Sequence, residues 1–261
     1  MAKKKKVKIK PYPIASVNNI IPLTIDERIG IVSDMHIGSK FSRKESLLEA
    51  YDMFEDAGVK QVFNAGDITD GWMVYPGQVV DQNNVGYESQ ANEVKKKYPK
   101  KKNINTNFIM GNHDASFMKR TGADICKYIG AIREDLDYAG AFYARFQDPD
   151  DDVTLDLVHP DGGSPYSISY GMQKYLRNQP PSHYPDMLVN GHRHQSFYGY
   201  YQEVHTLEAG CFQDPSDFTI RKGYCGNVGC WMVDMERVDG RIKKFKPEYI
   251  SFNGNVGGDS K

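Results

Sequence analysis

Five times along this chain, a short apolar run ends in a cluster of histidine, aspartate or asparagine side chains. The five stretches are RIGIVSDMH (28–36), KQVFNAGD (60–67), NFIMGNHD (107–114), VTLDLVH (153–159) and DMLVNGHRH (186–194). Short runs of β-branched and other apolar residues, each closed by polar residues, predict buried strands. We therefore expect five polar clusters at the carboxyl ends of five strands.

Two segments between these strands have the spacing of amphipathic helices. RKESLLEAYDMFEDAG places Leu47, Leu48, Tyr51 and Phe54 on one helical face, and ISYGMQKYLRN is predicted to form a second helix. Strands that alternate with helices indicate a layered α/β fold. Since ligands of open α/β sheets bind outside the carboxyl ends of the strands, the five clusters are expected to converge on one site.

The residue types in the clusters point to a metal site. A single Asp-x-His sequence after a strand is more often a hydrogen-bonded loop than a metal site. Five such clusters at converging strand ends make the metal site the favoured interpretation. Five of the seven histidines lie in the clusters: His36, His113, His159, His192 and His194. Histidine, aspartate and asparagine ligands without cysteine suit divalent transition metals. Gly66, Gly111 and Gly191 each precede a ligand candidate, where the backbone is expected to turn closely around the site.

The composition narrows the class of protein. The chain of 261 residues is 39% hydrophobic, which is enough for one sizeable core, and its net charge of -1 does not mark a bulk polyanion binder. Its apolar runs are too short to span a bilayer, and MAKKKKVKIKPYP lacks the apolar segment of a secretion signal, so we expect a cytoplasmic protein. The four cysteines form no C-x-x-C pair and are expected to be reduced thiols.

Five blocks in order carry a family resemblance: SDMH, GDITD, GNHD, the strand-end His159 and GHRH. The chain resembles the calcineurin-like metallophosphoesterases from about Ile31 to His194. The resemblance implies a four-layer α/β/β/α sandwich of two mixed sheets flanked by helices. It also implies seven metal ligands in two sets, with Asp34, His36 and His194 on one metal, Asn112, His159 and His192 on the other, and Asp67 bridging both.

The resemblance further implies how the other polar residues of the blocks act. His113 would face the substrate phosphate, Asp114 would orient His113, and Asp70 would support the site from farther away. Two cations about 3.5–4 Å apart can bind phosphoryl oxygens and convert a bridging water to hydroxide near neutral pH. The ligand types suit Mn²⁺, with Fe²⁺ and Zn²⁺ as alternatives.

Longer stretches extend the resemblance toward DNA-processing members of the family. SDMHIGSKF and AGDITDGWMVYPGQ resemble the nuclease-type small subunit of archaeal D-family DNA polymerases and, more loosely, the double-strand-break repair nuclease. We expect a basic tail and lead-in (1–27), a metallophosphoesterase domain (28–252) with a possible cap insertion (71–103), and a C-terminal tail (253–261). With about 30 residues before the first block and 67 after His194, we do not expect the additional domains of those two relatives.

Three basic features have two interpretations each. Lys95, Lys96 and Lys97, with Tyr98 and Lys100 to Lys102, either contact phosphates and bases or form a solvated helix end. Arg193 either reaches a substrate phosphate or points away from the site. The lysines at positions 3 to 6 are expected to be a frayed tail, with nucleic-acid contact as the alternative.

Three functional hypotheses follow, and the first is favoured. It is a metal-dependent phosphodiesterase whose partner is a phosphodiester substrate, most simply DNA, with no membrane partner and an unknown protein partner. The second is a phosphatase or a small- or cyclic-nucleotide phosphodiesterase on the same site, because fold and metals do not fix the substrate. The third is a catalytically silent polymerase-associated subunit, against which the intact ligand set argues.

Overall fold

The computed structural model describes residues 20–163 and 165–253. Within these ranges the strands form two six-stranded mixed sheets, which confirms the predicted fold. Sheet I has the order β12 (Arg241–Ser251), β11 (Gly229–Val238), β2 (Arg28–Val32), β3 (Gln61–Asn64), β4 (Asn105–Met110), β5 (Leu136–Ala141). Sheet II has the order β1 (Ile20–Pro22), β6 (Tyr143–Gln147), β7 (Thr154–Val158), β8 (Met187–Asn190), β10 (Val204–Ala209), β9 (Ser196–Tyr201).

Helices cover the outer faces of the two sheets. Their bounds are α1 (Lys44–Asp56), α2 (Tyr87–Lys97), α3 (Ala115–Thr121), α4 (Ile125–Ile132), α5 (Tyr170–Arg177) and α6 (Asp217–Arg221), with 3₁₀ turns at Gln78–Asp81 and Pro181–His183. None of the helices in the described ranges combines the length and apolar character needed to cross a membrane.

Strand direction brings the ends of the central strands together. In sheet I, β2, β3, β4 and β5 are mutually parallel neighbours, and in sheet II, β7, β8 and β10 are. Parallel strands end at the same edge of a sheet, so the residues that follow them are neighbours in space. Their short apolar sequences are buried on both faces, as expected for parallel strands covered on both sides.

Three apolar clusters hold the four layers together. Ile31, Phe63 and Leu157 belong to the cluster between the two sheets. A second cluster packs α1 to α4 against sheet I, and a third packs α5 against sheet II through residues such as Met172 and Leu188. Each layer therefore buries its apolar face against a neighbour, which is the requirement that defines this class of fold.

The two predicted helices form close to their predicted positions. In α1, Leu47, Tyr51 and Phe54 are buried, but Leu48 is 47% exposed. Each residue of a helix is rotated by about 100° from the one before it, so Leu48 lies outside the buried stripe that Leu47 begins. The second predicted helix is α5.

The first strand of the structure precedes the predicted start of the metallophosphoesterase domain. Strand β1 (Ile20–Pro22) lies inside the segment assigned to the lead-in, yet it pairs with β6 and is part of sheet II. The basic tail at positions 3 to 6 and all but the first residue of the predicted C-terminal tail lie outside the described residues.

The lysine-rich segment 95–102 lies at the opposite edge of sheet I from the polar clusters. It connects the end of α2 to the start of β4, where Asn105 donates its backbone N–H to the Lys60 carbonyl (2.8 Å). A six-residue strand is about 20 Å long, and because β3 and β4 are parallel the polar clusters lie at the far end of β4. The predicted substrate contacts of Lys95, Lys96 and Lys97 are therefore not supported.

The same segment has the contacts of a solvated helix end. The hydroxyl of Tyr98 lies 2.9 Å from the Tyr51 hydroxyl and accepts a hydrogen bond from the Asn64 amide (3.3 Å). Because Tyr98 is only 2% exposed, its ring cannot stack on a base. Lys101 forms ion pairs with Asp52 and Glu55. The predicted cap insertion thus divides into a loop, 71–86, and an ordinary crossover helix, α2, that packs against α4.

Candidate metal centre

The five polar clusters converge on one cleft between the carboxyl ends of the two sheets. The residues after β2, β3 and β4 supply Asp34, His36, Asp67 and Asn112, and those after β7 and β8 supply His159, His192 and His194. The cleft has a volume of about 280 Å³, and His113 lines it. Five of the seven ligand candidates also line it directly: His36, Asp67, Asn112, His192 and His194. The residues that follow β10, such as Gln213 and Asp214, line the cleft as well, and the sequence pattern did not identify this strand end.

One set of donor atoms surrounds Asp34. Its Oδ1 lies 3.3 Å from His194 Nε2 and 3.8 Å from His36 Nε2, and these two ring nitrogens are 3.1 Å apart. The other carboxylate oxygen accepts hydrogen bonds from the Ser33 hydroxyl (2.5 Å) and the His192 backbone N–H (2.9 Å). Asp34 is therefore fixed by main chain and hydroxyl on one side and presents an oxygen to two imidazoles on the other.

A second set of donor atoms surrounds Asn112. Its Oδ1 lies 3.0 Å from His159 Nε2 and 2.7 Å from His192 Nδ1. Asp67 Oδ2 lies 3.2 Å from His159 Nε2 and 4.0 Å from His36 Nε2, so this carboxylate stands between the two sets. Asp34, His36 and His194 form one group able to hold a metal ion, and Asp67, His159 and His192 form another.

The hydrogen bonds behind the second set decide which ring nitrogens carry protons. His159 Nδ1 donates to the Ala65 carbonyl (2.7 Å), and His192 Nε2 donates to the Gly162 carbonyl (2.6 Å). In the neutral rings, His159 Nε2 and His192 Nδ1 then carry lone pairs that face Asn112 Oδ1 and Asp67 Oδ2. Four acceptor atoms converging without a proton need a cation among them, so the residues present fit a divalent metal.

The metal-free electrostatics agree with this fit. Burial raises the pKa of Asp67 and the charges of His159 and His113 lower it, with the net effect of a strongly lowered pKa. Burial lowers the pKa of His159, but the charge of Asp67 and a hydrogen bond to it raise that pKa to about 9. Burial and the charge of His159 lower the pKa of His192 to about 4. The ionised carboxylate of Asp67 therefore attracts positive charge, either as protons on histidine or as metal ions.

The backbone bends sharply at most of the ligand candidates. Five of them have φ angles between 47° and 77°: Asp34, His36, Asp67, His192 and His194. These are left-handed conformations that side chains other than glycine adopt at a cost. Gly66 has φ of 103°, and a Cβ there would lie 2.6 Å from His159 Nδ1, while a Cβ at Gly111 would collide with Asp67. Glycine is required at these turns because the ligands pack directly on the backbone.

His113 lies beside the donor sets. Its backbone N–H donates to Asp67 Oδ1 (2.8 Å), its Nδ1 donates to the Asp70 carbonyl (2.7 Å), and its ring is 4.4 Å from that of His36. Burial and the charge of His36 lower the pKa of His113. With Nδ1 committed to Asp70, Nε2 is the nitrogen left to exchange a proton at the cleft.

The predicted role of Asp114 is wrong. Its carboxylate accepts hydrogen bonds from the Thr69 N–H (2.8 Å) and hydroxyl (2.6 Å), the Gly111 N–H (3.0 Å) and the Ile68 N–H (3.3 Å), and none from His113. Asp114 thus ties the GDITD turn to the GNHD turn, and the Asp70 carbonyl orients His113 instead. Burial and the charge of Asp67 raise the pKa of Asp114 to about 6.

Asp70 supports the site through residues that sequence reasoning missed. Its carboxylate accepts hydrogen bonds from Gln78 Nε2 (3.0 Å) and Gln82 Nε2 (2.7 Å), and lies 3.6 Å from His36 Nδ1. Glutamines in a loop follow no helical or strand periodicity, so the sequence pattern does not predict their contacts. Their position shortly after the GDITD block was the feature of the sequence that could have indicated this role. The loop 71–86 is therefore fastened to the site.

Arg193 is turned toward the protein interior. Its side chain is 8% exposed, and Nη1 lies 3.2 Å from Glu208 Oε1, although the residue also lines the cleft. Burial raises the pKa of Glu208 to about 7. Of the two interpretations of Arg193, these contacts favour the one in which its charge is paired within the protein.

The chain belongs to the calcineurin-like phosphoesterase family, whose profile matches residues 27–209. It is 27% identical over 252 residues to the DNA polymerase II small subunit of Methanocaldococcus jannaschii, covering 77% of this chain and 41% of that protein. It is 25% identical over 275 residues to the subunit of the same name from Halobacterium salinarum, covering 86% of this chain and 52% of that protein. The chain thus spans about half the length of these relatives.

Similar folds occur among solved structures. A structure described as that of a novel archaeal phosphodiesterase has a TM-score of 0.47 and 15% sequence identity, with 85% of this chain and 99% of that chain covered.

Proposed function

We propose that this protein is a phosphodiesterase that uses two divalent metal ions to hydrolyse DNA. The observation that carries the proposal is the convergence of two donor sets on a shared carboxylate, Asp67, with the imidazole of His113 beside it. Membership of the phosphoesterase family supports phosphoric ester hydrolysis. The curated relatives, which are named as DNA polymerase subunits, support DNA as the substrate.

The proposed ligands divide as the donor sets do. Asp34, His36 and His194 would hold one metal, and Asn112, His159 and His192 the other, with Asp67 shared. Bound metals would supply charge that neutralises the phosphoryl oxygens and lowers the pKa of a water molecule to near neutrality. Mn²⁺ suits these oxygen and nitrogen donors, and Fe²⁺ and Zn²⁺ are the alternatives.

The side chains around the metals would orient the substrate and move one proton. The doubly protonated ring of His113 would donate its Nε2 proton to the phosphate and pass that proton to the departing oxygen, leaving a neutral ring whose Nδ1–H stays on the Asp70 carbonyl. The carbonyl of Asp70 also accepts from Gln78 Nε2 (2.7 Å), which keeps this oxygen in place when the cleft fills. In this proposal His113 carries out the proton transfer, and Asp70 positions its ring.

A substrate panel tests the proposal. Single-stranded DNA, duplex DNA, RNA, cyclic nucleotides and a phosphomonoester would each be incubated with the protein and Mn²⁺, with Fe²⁺ and Zn²⁺ in parallel. We expect DNA to be cut with Mn²⁺ and not with EDTA. Asp67→Asn protein, purified in the same way, is the control for a contaminating nuclease. Efficient turnover of a monoester or cyclic nucleotide without cleavage of DNA would overturn the proposal.

A further inference from the structure

Two stacked aromatic rings form part of the wall of the metal cleft. The rings of Tyr75 and Phe218 lie 4.5 Å apart between centroids at an interplanar angle of 12°. Tyr75 belongs to the loop 71–86, and Phe218 to α6, in the last quarter of the chain. Both side chains line the same cleft as His113 and Asp67, together with Val74. The cleft therefore has polar ligand candidates on one part of its surface and aromatic carbon on another.

Tyr75 is held in a fixed position relative to His113. Gln78 Oε1 accepts from the backbone N–H of Val74 (2.8 Å), and Gln78 Nε2 donates to the Asp70 carbonyl (2.7 Å), the atom that also accepts from His113 Nδ1. The Tyr75 hydroxyl donates to Asp81 Oδ2 (3.0 Å). A short chain of hydrogen bonds thus connects the aromatic wall to the imidazole that would bind the phosphate.

Phe218 is positioned by the start of α6. The Ser216 hydroxyl accepts from the Thr219 N–H (3.3 Å), which fixes the first turn that carries Phe218. Lys222 Nζ lies 6.0 Å from the centroid of the Phe218 ring. The aromatic wall therefore has a positive charge close by, which suits a ligand that joins a flat ring to a phosphate.

We propose that Tyr75 and Phe218 bind a nucleobase next to the scissile phosphate and thereby select nucleotide substrates over phosphodiesters that lack a base. Bases stack on aromatic side chains whatever their sequence, which is how proteins hold single strands without reading them. A cleft of about 280 Å³ lies at the small end of ligand sites, so it suits one nucleotide rather than a duplex. The inference rests on the proposed phosphodiesterase function and adds the feature of the substrate that is recognised.

The test compares two oligonucleotides with the same number of phosphates. One carries bases throughout, and the other has abasic tetrahydrofuran residues on both sides of the scissile phosphate. We expect kcat/KM of the wild-type protein with Mn²⁺ to favour the first by about 5- to 150-fold, the range for one stacked base. Phe218→Ala should lower kcat/KM for the first by a similar factor and leave the abasic substrate unchanged, whereas Phe218→Trp should keep the preference.

A control variant in the same helix and a binding measurement that needs no turnover accompany this comparison. Ile220→Ala, a change at a 59% exposed residue of the same helix that does not line the cleft, should alter neither substrate. A dinucleotide containing 2-aminopurine should lose fluorescence when it stacks in the cleft of the His113→Ala protein with Mn²⁺. The double variant His113→Ala/Phe218→Ala should leave the fluorescence of the dinucleotide unchanged.

The outcomes separate this inference from the proposed function. Equal kcat/KM of the wild-type protein for both substrates, or equal losses on both in Phe218→Ala, would overturn the stacking role. If the wild-type protein cuts neither oligonucleotide but hydrolyses a monoester, the phosphodiesterase proposal fails, and the fluorescence of 2-aminopurine still decides whether the wall binds a base. Unchanged fluorescence in that measurement would also overturn the inference.

Discussion

At the scale of single residues, Asp67 has the most demanding position in the site. One of its oxygens faces His159 (3.2 Å) and His36 (4.0 Å), and the other accepts from the His113 N–H (2.8 Å). The residue is 1% exposed, so its negative charge is compensated by these groups and by whatever cations they share. Its neighbours belong to three different strand ends, those of β2, β4 and β7.

Asp67→Asn is expected to remove metal and activity together. An amide is a weaker ligand and carries no charge to attract a second cation, so metal content and DNA hydrolysis should fall in parallel. Elemental analysis of the dialysed protein and the substrate panel measure the two. Asp137→Asn, at a surface carboxylate bonded to Asn105 (2.6 Å), is the control. Full metal content in Asp67→Asn would show that the two sites do not share this residue.

His113→Ala is expected to separate metal binding from chemistry. The residue contacts the site through its backbone and through a ring nitrogen that points at Asp70, so metal content should survive. Turnover should drop by about 10²- to 10⁴-fold, the usual cost of losing an acid–base group. If metal and activity fall equally, His113 is itself a ligand, as its membership of a third donor group with His36 and Asp67 would allow.

At the scale of elements, the turns after β3 and β4 are joined by a buried carboxylate. Asp114 accepts from main-chain N–H groups of both turns and precedes α3. The carboxylate accepts four hydrogen bonds, from three backbone N–H groups and one hydroxyl. Removing the carboxylate would leave these buried donors without an acceptor.

Asp114→Ala is expected to lower the free energy of unfolding by roughly 2–5 kcal/mol, because several buried donors lose their acceptor at once. Asp124→Ala is the matched comparison, since Asp124 caps α4 with one bond to the Lys127 N–H (2.9 Å) and should cost about 1 kcal/mol. Urea titration measures both. Equal losses in the two variants would mean that Asp114 does no more than a helix cap.

On β10, His205 is packed against aromatic rings. Its ring stacks on Phe245 with centroids 4.1 Å apart, and Nδ1 lies 3.0 Å from the Tyr198 hydroxyl. Burial lowers the pKa of His205 to about 4 from its usual 6.5, against a small opposing effect of Asp186. The histidine lies outside the cleft that the ligand candidates line.

His205 should make folding stability depend on pH. A lowered pKa means that the unfolded chain takes up a proton below pH 6.5 while the folded protein does not until about pH 4. The contribution of neutral His205 to the free energy of unfolding is therefore complete above pH 6.5 and is lost as the pH falls to about 4. This contribution is about 1–2 kcal/mol once the partial exposure of the ring is taken into account. Urea titrations of the metal-free wild-type and His205→Phe proteins at pH 7 and pH 4.5 measure this effect. Between the two pH values, the free energy of unfolding of the wild type should fall by this amount more than that of His205→Phe. His183→Gln, at an exposed histidine, should behave as the wild type.

At the scale of the whole molecule, the proposed metal centre lies where the two sheets meet. Ligand candidates from β2, β3 and β4 of sheet I face those from β7 and β8 of sheet II. Cations held between them would connect the two halves of the fold at one edge, while the apolar cluster between the sheets connects them elsewhere.

Metal binding is therefore expected to stabilise the fold. At a concentration 100 times the dissociation constant, one site contributes about 2.7 kcal/mol, which corresponds to a rise in Tm of roughly 5–10 °C for a chain of this size. Calorimetry with Mn²⁺ and then with EDTA measures the rise and its reversal, and Asp67→Asn should show a smaller rise. Hydrogen exchange should slow at the carboxyl ends of strands in both sheets, and slowing in sheet I alone would contradict a shared centre.

The sequence predicts those parts of the site that depend on local order along the chain. Strand ends rich in histidine identify the ligand candidates, because parallel strands bring their ends together whatever lies between them. The contacts of Asp114 were beyond such reasoning, since a carboxylate beside His113 in sequence can turn either way. The two interpretations of Lys95 to Lys97 could not be separated from the sequence for a different reason. Charge alone does not include the strand direction, which places a helix that precedes β4 at the far edge of the sheet.

The left-handed backbone at five ligand candidates has a consequence for engineering. At about 1–2 kcal/mol each, these conformations cost an amount comparable to the entire net stability of an ordinary domain. Screens for thermal tolerance alone would reward glycine at such positions, and each gain would dismantle the metal centre. Stabilising libraries should leave these turns untouched and vary the amino-terminal edge of the sheets, where stability and activity do not compete.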